Sequence, residues 1–286
     1  MGQPMMPTRG EGTIRQLARA PVVALLMILA PAASAGTASS GIAKDKIAGG
    51  EHWRVRTSRG PVHVWCPALY DRRTAGIVVY VHGYAVDADG AWERHELARQ
   101  FQASRRNAVF LVPEAPASPE DTVRFPSLNE LLSAASASIH RTLPLGPVVI
   151  VGHSGAHRTL VPWLKNPRVS HVILLDAVYG GETVTAVRDW FRTSKGRLIV
   201  VAADTAEESE LLIQGLPAAA RRGAIPESAA AFTLRERQAR IAYLRSQYSH
   251  LEIVTEGKTI PPLLGLTRLP RIVSAPRPAA PARPRK

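Results

Sequence analysis

From residue 50 onward, apolar runs of strand length alternate with stretches of helical spacing. The segments "HWRVRTS" and "PVHVWC", separated by Arg59 and Gly60, predict an antiparallel hairpin. "AGIVVYVHG", "NAVFLVPEAP", "VVIVGH", "VSHVILLDA" and "RLIVVAAD" are nearly unbroken apolar runs, as expected of strands buried on both faces. Between them, "DADGAWERHELARQFQAS" places Trp92, Leu97 and Phe101 on one helical face. "PSLNELLSAASASIHRTL" opens with Ser127 and Glu130 at the spacing of a capping box. A further helix is expected from the end of "VVIVGH" to about Asn166, and another over "ETVTAVRDWFRTS". A hairpin followed by repeated strand–helix units predicts an α/β fold: a mostly parallel sheet between two helical layers, with antiparallel strands at its N-terminal side.

The later segment 205–249 is less regular. "SAAAFTLRERQARIAYLRSQ" is helical in composition, and "IQGLPAAARRGAIPES" reads as a flexible loop or a cap over the site.

Composition divides the chain. Arg9, Arg15 and Arg19 precede the apolar run Pro21 to Ala30, and Ala33-Ser34-Ala35 follows as a small-x-small cleavage pattern. This order predicts an export signal over residues 1–35, and the apolar run is too short for a permanent span. The mature protein is then expected outside the cytoplasm, in the periplasm or the medium. Residues 36–49 are expected to be flexible, 50–268 to form the folded domain, and 269–286 to be a disordered, basic, Pro/Arg-rich tail. The formal charge of +13 divides as +2 in residues 1–35, +5 in residues 271–286 and +6 between them. The tail is suited to weak contact with anionic surfaces, but no aromatic interleaving or motif points to specific nucleic-acid binding. Cys66 is the only cysteine, so an internal disulfide and thiolate metal cages are excluded, and it reads as a small buried apolar residue.

In a parallel sheet, chemistry gathers at the carboxyl ends of the strands. The polar residues there are His82-Gly83-Tyr84, Glu114, Ser154, Asp176 and Asp204. "VVIVGHSGAHR" places one serine on the corner between a strand and a helix. A serine hydroxyl is a weak nucleophile unless it is exposed and beside a base. A sharp turn lifts it clear of the sheet, and the crowding there demands small residues two before and two after, here Gly152 and Ala156. The helix beginning after Ser154 aims its free N–H groups at the site, so the Gly155 N–H is placed to hold an oxyanion.

With "VVYVHGY" upstream, "VVIVGHSGA" resembles the nucleophile elbow of the α/β-hydrolase fold, and the order of elements extends that resemblance over roughly residues 50 to 265. Alanine at 156 departs from the glycine of the usual pattern. The resemblance implies a second oxyanion N–H from Tyr84, or else Ala85. It also implies a chain order of serine, acid, histidine. Of the histidines after Ser154, His157 is expected to point along its helix and His171 opens a strand at the wrong end of the sheet. His250, near the last strand, is the expected base.

Two aspartates end strands. Most relatives place the acid after the later strand, which would be Asp204, whereas some esterases of the fold place it after the strand following the elbow, which would be Asp176. Asp176 lies directly behind an apolar run, where a charge needs a partner. Asp204, before "TAEESE", has another explanation as a helix N-cap. The reading favours Asp176 and keeps Asp204 as the alternative.

The expectation is an exported serine hydrolase that cleaves an ester or amide bond of a small-molecule, lipid or peptide-like acyl substrate through an acyl-enzyme, with carboxylic ester hydrolysis favoured over peptide cleavage. No cofactor is required, and no metal: His153 and His157 offer two ligands without a third. The alternative is a binding protein of the same fold that does not cleave.

Overall fold

The computed structural model describes residues 43–272. In chain order the elements are β1 (Ala43–Ile47), β2 (Gly50–Thr57), β3 (Gly60–Pro67), β4 (Gly76–Val81), α1 (Ala88–Arg94), α2 (Leu97–Ser104), β5 (Ala108–Pro113), α3 (Leu128–Ser138), β6 (Val148–His153) and α4 (His157–Trp163). There follow β7 (Val169–Leu175), α5 (Gly180–Thr193), β8 (Arg197–Ala202), α6 (Ala206–Gln214), β9 (Ala220–Arg222), α7 (Leu234–Gln238), β10 (Ile241–Arg245), α8 (Glu252–Thr255) and α9 (Ile260–Gly265). The strands form one sheet in the order β1-β2-β3-β5-β4-β6-β7-β8-β10-β9. β1, β2 and β3 are antiparallel and β3 meets β5 antiparallel, while every pairing from β5 to β9 is parallel.

Alternation along the central strands divides the core. Ile77, Val79 and Val81 face one side with Val148 and Ile150, under α3, α4, α5 and α6. Val78 and Tyr80 face the other with Val149 and Val151, under α1, α2, α8 and α9. Both faces of the parallel strands are covered, which is why these strands read as continuous apolar runs.

The structure corrects several expectations. The helix expected over residues 87–104 is two: Glu96 takes φ +46° between α1 and α2, and the neighbouring His95 ring bonds the buried Tyr80 hydroxyl at 2.9 Å. The Ser127–Glu130 capping box does not form; Ser127 makes no side-chain cap bond, and Glu130 pairs with Arg59 at 2.9 Å. The reciprocal box is found instead at Thr233 and Glu236. The helical composition of residues 228–247 yields only a three-residue 3-10 turn, Ala229–Ala231, and the five-residue α7. Ile241–Arg245 fills a parallel slot beside β8 as β10, with Ile241 and Tyr243 on one face of the sheet and Ala242 and Leu244 on the other. Segment 205–249 thus extends the sheet at one edge, because tertiary pairing overrides local propensity.

The folded body extends past both expected boundaries. Residues 43–47, expected to be flexible, pair with β2. A chain of hydrogen bonds ties them down: Asp45 to His52 Nδ1 at 2.7 Å, His52 Nε2 to His63 Nδ1 at 2.9 Å, and His63 Nε2 to Asp89 at 2.8 Å. Both imidazoles stack on Trp92. At the other end Leu269 is buried, the Asn107 N–H donates to the Pro270 carbonyl, and the Ile272 N–H donates to the Arg105 carbonyl. The expected export signal and most of the expected tail lie outside the described residues. Cys66 is buried, and desolvation pushes its thiol pKa up to about 12.

Candidate active site

β6 is buried along its whole length and delivers Ser154 at φ +53°, in the left-handed region that non-glycine residues rarely occupy. The turn Ser154–Ala156 leads into α4. At position 152 a Cβ would stand 2.4 Å from Leu160 Cδ1 and 3.0 Å from the Ala156 Cβ, so the strand and helix leave room only for glycine. The methyl of Ala156 is accommodated in the core at 1% exposure. Ser154 remains half-exposed.

The β4 end crosses directly over the serine. A Cβ on Gly83 would lie 2.6 Å from the Ser154 Cβ. His82 is fully buried, and desolvation pushes its pKa down. Its Nε2 accepts the Ala115 N–H at 3.1 Å, so the proton sits on Nδ1, which donates to the Gly83 carbonyl at 2.8 Å. In a trans peptide the N–H points opposite the carbonyl, so the Tyr84 N–H is turned away from His82. The Ala85 N–H donates to the Ala117 carbonyl at 2.8 Å and is engaged there, and the Tyr84 ring packs against Gly155.

Asp176 follows directly on β7 and is wholly buried at φ +49°. Its Oδ1 accepts from the Ala203 N–H, the Thr205 N–H and the Thr205 hydroxyl. Its Oδ2 accepts from the Asp204 N–H at 3.0 Å and from His250 Nδ1 at 2.6 Å. Burial opposes ionisation of Asp176, but the bonds from His250, Thr205 and Ala203 together outweigh it and hold the carboxyl well below the usual range. For His250, the hydrogen bond to Asp176 outweighs partial burial and raises the imidazole pKa above its ordinary value. The His250 carbonyl accepts from His153 Nε2 at 2.9 Å, and the two rings lie 4.6 Å apart. This bond fixes His250 beside the residue that precedes Ser154. With Nδ1 on Asp176, Nε2 is the ring nitrogen left for proton transfer.

Among the described residues, Ser154 Oγ makes no hydrogen bond to His250. The Tyr179 phenol interacts with the Ser154 side chain instead; burial raises its pKa, so it stays protonated. Tyr179 was not singled out by the sequence, because its place over the serine depends on the turn between β7 and α5. The His157 and Tyr179 rings contact each other at a tilt of 36°, with centres 5.4 Å apart. His171 lies at the far end of the sheet, where its Nε2 accepts the Arg268 N–H. Asp204 does not cap α6; the cap position is Thr205, without a side-chain cap bond.

Asp176, Asp204 and His250 offer donor atoms within 4.8 Å of one another, the one such trio among the described residues. Both oxygens of Asp176 already accept hydrogen bonds from N–H and O–H donors, so the arrangement suits proton transfer better than cation coordination.

The sheet order, the two helical layers and the elbow at the end of β6 define the α/β-hydrolase fold. Solved structures sharing it include an S-formylglutathione hydrolase from Agrobacterium tumefaciens, with TM-score 0.54 and 13% identity over 80% of this chain and 99% of that one. A serine-to-alanine mutant of the feruloyl esterase module from Clostridium thermocellum, complexed with sinapinate, matches with TM-score 0.55 and 11% identity over 80% of this chain and 92% of that one. No protein-family model and no curated protein matches the sequence.

Proposed function

We infer that the protein is an exported serine hydrolase that cleaves a carboxylic ester, or less readily an amide, through an acyl-enzyme. The observation that carries this reading is the 2.6 Å bond between His250 and the buried, ionised Asp176, beside a serine held on a left-handed elbow. The esterases among the structural neighbours support it, and the export part rests on the N-terminal sequence alone.

Substrate binding closes the bond between Ser154 Oγ and His250 Nε2, a contact often loose in a free enzyme. Nε2 takes the hydroxyl proton as Oγ attacks the acyl carbon, and the N–H groups of Tyr84 and Gly155 receive the oxyanion. Asp176 holds the resulting imidazolium. His250 then returns the proton to the leaving oxygen or nitrogen, and water repeats the cycle to release the acid.

A fluorophosphonate probe tests this directly. Intact-mass analysis and peptide mapping are expected to show one phosphonyl group on Ser154 and none on Ser154→Ala. Folded protein that stays unlabelled would instead favour a binding protein of this fold. The loop geometry supplies a second test. Gly83→Ala forces a Cβ to within 2.6 Å of the Ser154 Cβ, and displacing the oxyanion loop is expected to slow labelling about 100-fold with the circular dichroism spectrum unchanged.

A further inference from the structure

Two carboxylates, those of Asp176 and Asp204, lie within 4.8 Å of a His250 ring nitrogen. The β7 and β8 ends lie side by side, and the loop after β8 wraps around Asp176 with the N–H groups of Ala203, Asp204 and Thr205. The Asp204 N–H and His250 Nδ1 land on the same oxygen of Asp176, Oδ2. That shared acceptor fixes the Asp204 backbone next to the imidazole, and its carboxylate lies within 4.8 Å of both a His250 nitrogen and an Asp176 oxygen. No hydrogen bond or ion pair of the Asp204 carboxylate is present among the described residues, so no helix cap or salt bridge accounts for its position. We propose that Asp204 is a positioning residue for the reaction: a second carboxylate that stabilises the charged form of His250 and holds its ring when Asp176 is neutralised. The proposal rests on the reading of Ser154, His250 and Asp176 given above.

The physical basis is a division of labour. Asp176 is buried and spends both oxygens on fixed donors, so it sets ring orientation. Asp204 is exposed and has no hydrogen bond or ion pair among the described residues, so it contributes field while Asp176 is charged and is free to bond the ring when Asp176 is neutralised. The remaining groups facing His250 do not supply this charge. The His153 ring lies 4.6 Å from it, tilted by 37°, but burial, reinforced by His250 itself, pushes the His153 pKa down to about 3, so that ring stays neutral. His95 behind it is also pushed down, to about 4, chiefly by burial. Tyr179 is kept protonated by burial, and Glu252, on the helix that follows His250, is bound by the N–H and hydroxyl of Ser249.

The test uses the mature protein carrying Ser154→Ala, in which the imidazole of His250 is titrated by NMR with and without Asp204→Asn. The expected result is a fall in the His250 pKa of about half a unit or more in Asp204→Asn, restored in Asp204→Glu. In the active protein, Asp176→Asn is expected to retain about tenfold or more of the activity left in the double variant Asp176→Asn/Asp204→Asn. An unchanged His250 titration in Asp204→Asn would overturn the proposal, as would a double variant no worse than Asp176→Asn. If Asp176→Asn does not fold, the titration of Asp204→Asn decides alone, since that side chain is exposed. The titration needs no turnover, so failure of this proposal is separable from failure of the hydrolase reading, which the fluorophosphonate probe reports.

Discussion

Ser154→Ala is expected to lower kcat/KM toward an activated ester by about 10⁴-fold or more, because the proposed acyl-enzyme route depends on this one hydroxyl. Ser154→Gly is expected to be equally inactive but more stable. At φ +53° a side chain costs roughly 1 kcal/mol that glycine does not incur. For a folded body of this size that difference corresponds to a rise of about 2–4 °C in melting temperature over Ser154→Ala. Calorimetry of the two variants beside a kinetic assay separates strain from chemistry. If the glycine variant melts no higher than the alanine variant, the elbow stores no strain at this residue. Asp176 sits at φ +49°, so two of the three residues expected to act in the reaction, Ser154 and Asp176, occupy conformations held by the surrounding packing and not by local preference.

The second large effect is acid lability. His95, His153 and His171 are 2%, 4% and 1% exposed. Burial pushes their pKa values down to about 4, 3 and 3. The unfolded chain takes up protons near pH 6.5 at these sites, whereas the folded protein resists until the pH is well below that. Stability contributed by the neutral rings is therefore present above about pH 6.5 and lost as pH falls toward the folded values. Each ring contributes a slope of about 1.4 kcal/mol per pH unit in that window. Asp176 does not offset this, since its own contribution is lost only below the ordinary carboxylate range. The melting temperature is expected to drop steeply between about pH 6 and pH 4, and to fall less as pH rises above about 6.5, where the raised His250 pKa loses its contribution. His171→Gln, whose amide oxygen can still accept the Arg268 N–H, is expected to flatten the slope. A melting temperature constant from pH 6.5 to 4.5 would show that these rings titrate normally in the folded protein.

The sequence by itself determined the order of strands and helices in the centre of the sheet, because a strand buried on both faces must be apolar throughout, and such runs are legible locally. It also determined where a serine is lifted off a strand, since Gly152, Ser154 and Ala156 are neighbours in the chain. What tertiary structure decided lies at long range or at the edges. Ile241–Arg245 is helical by composition and a strand by its slot beside β8. β1 is held by imidazoles from β2 and β3 and a carboxylate from α1, none of which its own five residues reveal. The aspartate that meets His250 is 74 residues away in sequence, and the loop that fixes it belongs to a third strand. Both Asp176 and Asp204 end strands with similar local patterns. Only the side-by-side packing of β7 and β8 gives one of them the buried hydrogen-bond cage and leaves the other exposed beside the ring.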